Sequence, residues 1–132
     1  MLRVLSAYEP HAYAILRIIA GLLFVCHGLQ KAVGAFGGIN GAPAPIFSLL
    51  GVAGWLELIL GLMIALGIFT VTAAFVASGQ MAVAYLIGHL LQGFWPIMNQ
   101  GEAAVLYCFA FLYIAAHGPG IWSVDVLGTA TH

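Results

Sequence analysis

The chain is built from long apolar segments separated by short stretches rich in glycine, proline and polar residues. The apolar segments cover residues 13–33, 49–66, 71–91 and 102–117. Because an α-helix rises about 1.5 Å per residue, about 20 residues span the hydrocarbon core of a bilayer. The pattern therefore predicts four membrane-crossing helices, of which the last is the shortest.

The stretches between these segments carry the residues that end or begin helices. Residues 34–48 hold several glycines and prolines, which are incompatible with a continuous helix. Gly67 is expected to end the second helix and Thr70 to cap the third, because a threonine side chain accepts a hydrogen bond from a free backbone N–H. Gly118 and Pro119 end the fourth helix.

Composition places this bundle in a membrane. Of 132 residues, 64% are hydrophobic and only 5% are charged, whereas a soluble domain carries about a quarter charged residues. Seventeen glycines suit close helix packing in lipid, and the alternating polarity of a β-barrel strand is missing. We therefore predict an all-α integral membrane four-helix bundle, forming a single transmembrane domain. A net charge of −1 disfavours nucleic acid as a partner, so the lipid bilayer is the partner that we expect.

Polar residues collect at one side of the predicted bundle. Four alternating helices bring together the ends of the first and third helices and the beginnings of the second and fourth. The polar residues expected in this funnel are His27, Gln30, Lys31, Glu57, Gln80, His89 and Glu102. Since a lone charge in lipid is costly, Glu57 is expected to pair with Lys31 or to be protonated. The alternative to a functional pocket is that these side chains only hold the helices together by hydrogen bonds. For His89 and Glu102, the alternative is a solvated position at the membrane interface, on the rim of the bundle.

Arg17, Cys26 and Cys108 lie outside this funnel or have little chemistry of their own. Arg17 belongs to the opposite half of the bundle, where we expect its side chain to snorkel towards the interface. Residues 13–33 do not resemble a cleaved signal peptide, because the apolar run is longer than in such a peptide and Arg17 interrupts it. The two cysteines are expected to act as small hydrophobic residues, with a disulfide as the alternative. No Glu-x-x-His or paired histidine indicates a metal site.

Short sequences recur in the two halves of the chain. His27-Gly-Leu-Gln30 is echoed by His89-Leu-Leu-Gln92, and Gly67-Ile-Phe-Thr70 by Gly120-Ile-Trp-Ser123. These echoes suggest a duplicated helical hairpin related by an axis along the membrane normal. Chance similarity in a chain rich in leucine and glycine is the alternative.

The segment Arg17-Ile-Ile-Ala-Gly-Leu-Leu-Phe-Val-Cys-His-Gly-Leu-Gln-Lys31, followed by Gly34 and Phe36-Gly-Gly38, resembles the opening signature of the DoxX family. The likeness extends over nearly the whole chain. It continues through Glu57, Gly61, Gly67-Ile-Phe-Thr70, His89, Gly93-Phe-Trp95, Glu102 and Gly118-Pro-Gly-Ile-Trp-Ser-Val-Asp125. One departure is Ile121, where many relatives carry a basic residue.

The resemblance implies a four-helix bundle in a bacterial or archaeal inner (plasma) membrane. It also implies an association with quinone-linked redox complexes, which include thiosulfate:quinone oxidoreductases. We therefore hypothesise that Glu57, His27 and Lys31 transfer protons to a quinone and stabilise its oxyanion. The residues expected to bind the ligand around them are Gln80, His89, Glu102, Arg17 and Gln30.

The chain offers no electron donor of its own, so any oxidoreductase activity requires other redox subunits. A homo-oligomer is the other assembly considered. A different class of function is a non-catalytic membrane protein that binds a partner or a small ligand. A proton-coupled carrier is a third hypothesis, which four short helices disfavour.

Overall fold

A computed structural model describes residues 1–129, and this part of the chain is helical throughout its regular structure. The helices in the described residues are α1 (Leu2–Ala7), α2 (Glu9–Val33), α3 (Leu49–Leu66), α4 (Thr70–Gly88), α5 (Pro96–Asn99), α6 (Glu102–His117) and α7 (Val124–Thr129). Single 3-10 turns follow α2 and α4. The prediction of an all-α membrane bundle is confirmed.

Within residues 1–129, three helical stretches are long and apolar enough to cross a membrane: Glu9–Val33, Leu49–Leu66 and Thr70–Gln92, the last including the 3-10 turn after α4. The fourth, α6, has 16 residues and is about 24 Å long, so its crossing as a full span stays a prediction. Large apolar side chains remain exposed along the long helices, as a lipid-facing surface requires. The bounds of α3 and α6 match the prediction, whereas α2 begins four residues earlier than expected.

Helices α2 and α3 form a hairpin in which the two backbones touch. A Cβ added at Gly28 of α2 would lie 2.4 Å from the Leu58 nitrogen, and one at Gly54 of α3 would lie 2.6 Å from the Lys31 Cβ. Two turns away, Gly21 and Gly61 make the same kind of contact. Small residues permit this approach, and van der Waals contact between the helices follows from it.

Helices α4 and α6 form the second close pair. Its interface uses small side chains, including the buried Ala73, Ala77 and Ala104. The Ser78 hydroxyl donates a hydrogen bond to the Cys108 carbonyl oxygen at 2.7 Å. Cys26 and Cys108 are both free thiols, so the alternative of a disulfide is wrong. The two hairpins meet less closely, mainly through α3 and α4.

Arg17 is fully buried and does not snorkel, which corrects the expectation from the sequence. Its Nε donates to the Ile64 oxygen at 3.1 Å, and its two terminal nitrogens donate to the oxygens of Pro119, Ile121 and Trp122. The guanidinium therefore ties α2 to the end of α3 and to the chain that follows α6. Because α3 ends in backbone carbonyls, Arg17 finds acceptors inside the protein without reaching the interface.

The two turns Gly67-Ile-Phe-Thr70 and Gly120-Ile-Trp-Ser123 share a backbone conformation as well as a sequence pattern. Gly67 and Gly120 have φ values of 72° and 69°, and Phe69 and Trp122 have φ values of 45° and 58°. Positive φ is uncommon for aromatic residues, so its recurrence at matching positions is more than compositional similarity. This agreement supports the hypothesis of a duplicated hairpin.

The N-terminus of α4 is capped by Asp125 from the end of the chain, and the expectation that Thr70 is the cap is wrong. Thr70 is the first residue of α4. The Asp125 carboxylate accepts hydrogen bonds from the N–H groups of Phe69 and Thr70, each at 2.9 Å, and from the Thr70 hydroxyl at 2.7 Å. A carboxylate at this position also offsets the positive end of the helix dipole.

Substituting Gly28 tests the close contact of α2 and α3. We expect Gly28→Ala to lower the free energy of unfolding by about 1–3 kcal/mol, because its Cβ would overlap the α3 backbone. The matched control is Gly88→Ala, since a Cβ there meets nothing within 4 Å. Thermal unfolding in detergent should show a lower Tm for Gly28→Ala only; equal Tm values would contradict the contact.

The Asp125 cap predicts a pH-dependent stability. Burial opposes ionisation of this carboxyl, but hydrogen bonds from Thr70 and Phe69, and the charge of Arg17, lower its pKa below the ordinary value of 3.8. The stabilisation is therefore fully present above pH 3.8 and is lost as the pH falls towards the lower pKa of the folded state. We expect Asp125→Asn to cost about 1 kcal/mol near neutral pH and to remove this acid-dependent loss. A Tm difference between wild type and Asp125→Asn that stays constant from neutral pH down to about pH 2 would count against the cap.

Candidate functional site

The centre of the candidate site is an ion pair between α2 and α3. The Lys31 Nζ lies 2.6 Å from Oε1 of Glu57, so the structure shows the first of the two alternatives expected for Glu57, pairing with Lys31. Lys31 is in the last turn of α2, and Glu57 lies halfway along α3. The Glu57 side chain is 2% exposed and that of Lys31 19%, so the carboxylate is the buried partner and the ammonium is closer to the surface.

A cavity of about 420 Å³ lies beside this pair, between α3 and α4. Its polar side chains are Lys31, Glu57 and Gln80, and the Gln80 amide nitrogen donates to the Ala53 oxygen at 3.2 Å. The apolar part of its wall includes Leu49, Leu50, Val52, Leu56, Val76, Val83 and Ile87. Several of these apolar side chains are exposed, so the cavity reaches the lipid-facing surface. A largely apolar cavity with a few polar groups is typical of a small-molecule site.

Two buried oxygens in this site lack a hydrogen-bond partner among the described residues. They are Oε2 of Glu57 and Oε1 of Gln80. Leaving a buried acceptor unpaired costs about 1–3 kcal/mol, and more for a charged group. Most buried polar groups are paired, so two unpaired acceptors in residues that line one cavity indicate a place for a hydrogen-bond donor.

His27 and Gln30 do not join the ion pair, which corrects the predicted convergence of His27 with Lys31 and Glu57. Both line a separate shallow groove on another face of α2. His27 is exposed, and its ring meets the edge of Tyr107 at 5.7 Å between centroids. The reason is helix rotation: Gly28 faces the α3 backbone, and the preceding residue points about 100° away from that direction.

His89, Glu102 and Arg17 also lie outside the residues that line the cavity. Nδ1 of His89 lies 3.0 Å from the Asn99 oxygen, in the connection between α4 and α6. Glu102 is exposed at the first position of α6, in agreement with a rim residue. Arg17 is at the opposite end of the bundle. Of the ligand-binding residues predicted around the ion pair, the structure places Gln80 at the cavity.

Asn99 is a buried polar residue whose role was not predicted from the sequence. Its amide nitrogen donates to the Gly93 oxygen at 2.8 Å and to the Tyr85 hydroxyl at 3.2 Å, and its oxygen accepts from the Gly101 N–H at 2.8 Å. This network shapes the connection between α4 and α6. The signal in the sequence was the pair of amides Asn99-Gln100 before Gly101, which also suits an exposed loop.

The residue set favours acid–base and hydrogen-bond chemistry. In the described part of the chain, no group of three or more histidine, cysteine, aspartate or glutamate side chains could hold a metal ion. Glu57 can accept a proton, Lys31 can donate hydrogen bonds, and Gln80 can both donate and accept hydrogen bonds.

The family model of DoxX matches residues 12–90, which include most of α2, all of α3 and α4, and the three polar residues of the cavity. An uncharacterised protein of Haemophilus influenzae is 39% identical, over 92% of this chain and 93% of its own length. An uncharacterised membrane protein of Mycobacterium tuberculosis is 27% identical, over 93% of this chain and 85% of its own length. No solved structure matches the chain. The chain therefore belongs to the DoxX family.

Proposed function

We propose that this protein is a small membrane subunit of a quinone-linked redox complex in a bacterial or archaeal plasma membrane. We further propose that the cavity between α3 and α4 holds the quinone. The observation that carries this proposal is a buried ion pair in the wall of a cavity that is otherwise apolar and reaches the lipid-facing surface. A lipid-soluble molecule with a polar ring and an apolar tail fits such a cavity.

The residues present fit a quinone ring. An ammonium group has three N–H donors, and the Lys31 Nζ uses one of them on Glu57, which leaves donors for a ring oxygen. Gln80 uses one amide hydrogen on Ala53 and keeps a second. The volume of about 420 Å³ lies within the usual range of small-molecule sites. Leu56, Val76 and Val83 supply apolar contacts for the tail.

A quinone, when bound, supplies a carrier of two electrons and two protons. Its electrons would come from a flavin, haem or iron–sulfur centre of another subunit. Glu57 would hold or release a proton at Oε2, the oxygen that Lys31 does not occupy. Lys31 is partly exposed, so the pair would connect the buried Glu57 carboxylate to the surface of the bundle. This arrangement assigns the proton chemistry to Glu57 and Lys31 and leaves His27 without a part in it.

Filling the cavity tests this assignment. Gly79 lines the cavity, and a Cβ added there meets nothing within 4 Å, so Gly79→Leu should fold normally while occupying the space. Its Tm should be unchanged or higher, because leucine favours a helix over glycine by about 1 kcal/mol. We expect the quinone recovered by solvent extraction of the purified protein to fall about tenfold, a loss that corresponds to about 1.4 kcal/mol of binding.

The matched control is Thr72→Leu, which adds the same side chain to an exposed position of α4 outside the cavity. This variant should retain the quinone content of the wild type. Equal quinone in Gly79→Leu and Thr72→Leu would refute the location. Wild-type protein that carries phospholipid but no quinone would instead favour a non-catalytic lipid-binding protein.

A further inference from the structure

The polar end of the cavity contains two oxygens that have no hydrogen-bond partner among the described residues, whereas each of its donor nitrogens already has one. The two buried atoms that lack a partner in residues 1–129 are both acceptors, Oε2 of Glu57 and Oε1 of Gln80. A quinone carbonyl is itself an acceptor and cannot satisfy either of them. A hydroxyl group can, because its O–H donates.

The orientation of the Gln80 amide follows from its surroundings. Its nitrogen lies 3.2 Å from the carbonyl oxygen of Ala53, which can only accept. Exchanging the amide nitrogen and oxygen would place two acceptors against each other, so this contact fixes Oε1 as the free atom. In the same way, the Lys31 Nζ engages Oε1 of Glu57 at 2.6 Å and leaves Oε2 without a donor.

We infer that this site binds the hydroxyl-bearing, reduced form of its ligand, a hydroquinone, in preference to the quinone. The inference rests on the proposed function and adds which redox form the cavity recognises. A hydroquinone has two hydroxyl groups, and one hydrogen bond from each, to Glu57 Oε2 and to Gln80 Oε1, would pair both unpartnered acceptors. A bond to an ionised carboxylate is about twice as strong as a neutral one, so Glu57 contributes the larger share of the preference.

Preference for the reduced form has a consequence for the direction of electron flow. A site that binds hydroquinone more tightly than quinone raises the reduction potential of the bound molecule, which makes it a better electron acceptor. A flavin, haem or iron–sulfur centre of another subunit would supply the two electrons, and two protons would complete the hydroquinone. Glu57 lies beside the partly exposed Lys31, so such protons would reach the cavity through this ion pair.

Binding measurements on the purified full-length protein in lipid nanodiscs test the inference. The probes are a short-chain benzoquinone, the matching hydroquinone and the hydroquinone dimethyl ether, titrated without oxygen. We expect the hydroquinone to bind at least about tenfold more tightly than the other two, as one hydrogen bond to a charged group predicts. The ether keeps the shape of the hydroquinone but has no O–H, so it separates hydrogen bonding from fit.

Variants assign the preference to the two oxygens. Glu57→Gln should reduce the ratio of hydroquinone to quinone affinity to about threefold or less, and Gln80→Leu should lower hydroquinone affinity by about threefold to tenfold. Gln80→Leu leaves the ion pair intact and serves where Glu57→Gln does not fold. Gln30→Leu is the control, because Gln30 lines the other groove.

The outcomes separate this inference from the proposed function. Equal affinities for hydroquinone, quinone and ether would overturn the preference and leave quinone binding standing. No binding of any of the three probes would overturn both. A preference that survives both Glu57→Gln and Gln80→Leu would overturn the assignment to these acceptors.

Discussion

The close backbone contact between α2 and α3 is the constraint on which the site depends. Gly28 and Gly54 let the two helices approach until a methyl group would no longer fit between them. This contact fixes the rotation of α2 about its own axis. The Lys31 Cβ then lies against Gly54, within reach of Glu57 one turn further along α3. Helix packing therefore brings Lys31 and Glu57 together, whatever chemistry the ion pair performs.

The two ends of the bundle treat buried charge in opposite ways. Arg17 donates to four backbone oxygens and is satisfied by the protein itself, which makes it a structural tie between helices. Glu57 is equally buried, but it has one partner and one unpaired oxygen among the described residues. Burial alone does not distinguish a functional charge from a structural one. A functional charge is distinguished by a hydrogen-bonding atom that the protein leaves unpaired, and within residues 1–129 Oε2 of Glu57 at the cavity is such an atom.

The helices could be predicted from the sequence because membrane thickness sets the length of an apolar segment. The pairing of Lys31 with Glu57 could also be predicted, since neither charge is tolerated alone in lipid. Helix rotation could not, because it depends on which glycines meet, and this is why His27 was expected in the pocket. The Asp125 cap of α4 could not be predicted either, because Asp125 lies 55 positions after Thr70 in the sequence.

The position of the cavity follows from the way the two hairpins are joined. Within each hairpin, small residues bring the helices close together, whereas α3 and α4 meet across larger side chains and enclose a space. The first hairpin supplies the ion pair to that space, and the second supplies Gln80 and apolar wall. The turns that follow the two hairpins share backbone conformations, but the Lys31–Glu57 ion pair belongs to the first hairpin. The cavity with the ion pair in its wall therefore lies where the two hairpins meet, and a second cavity, between α4 and α6, is lined almost wholly by apolar side chains.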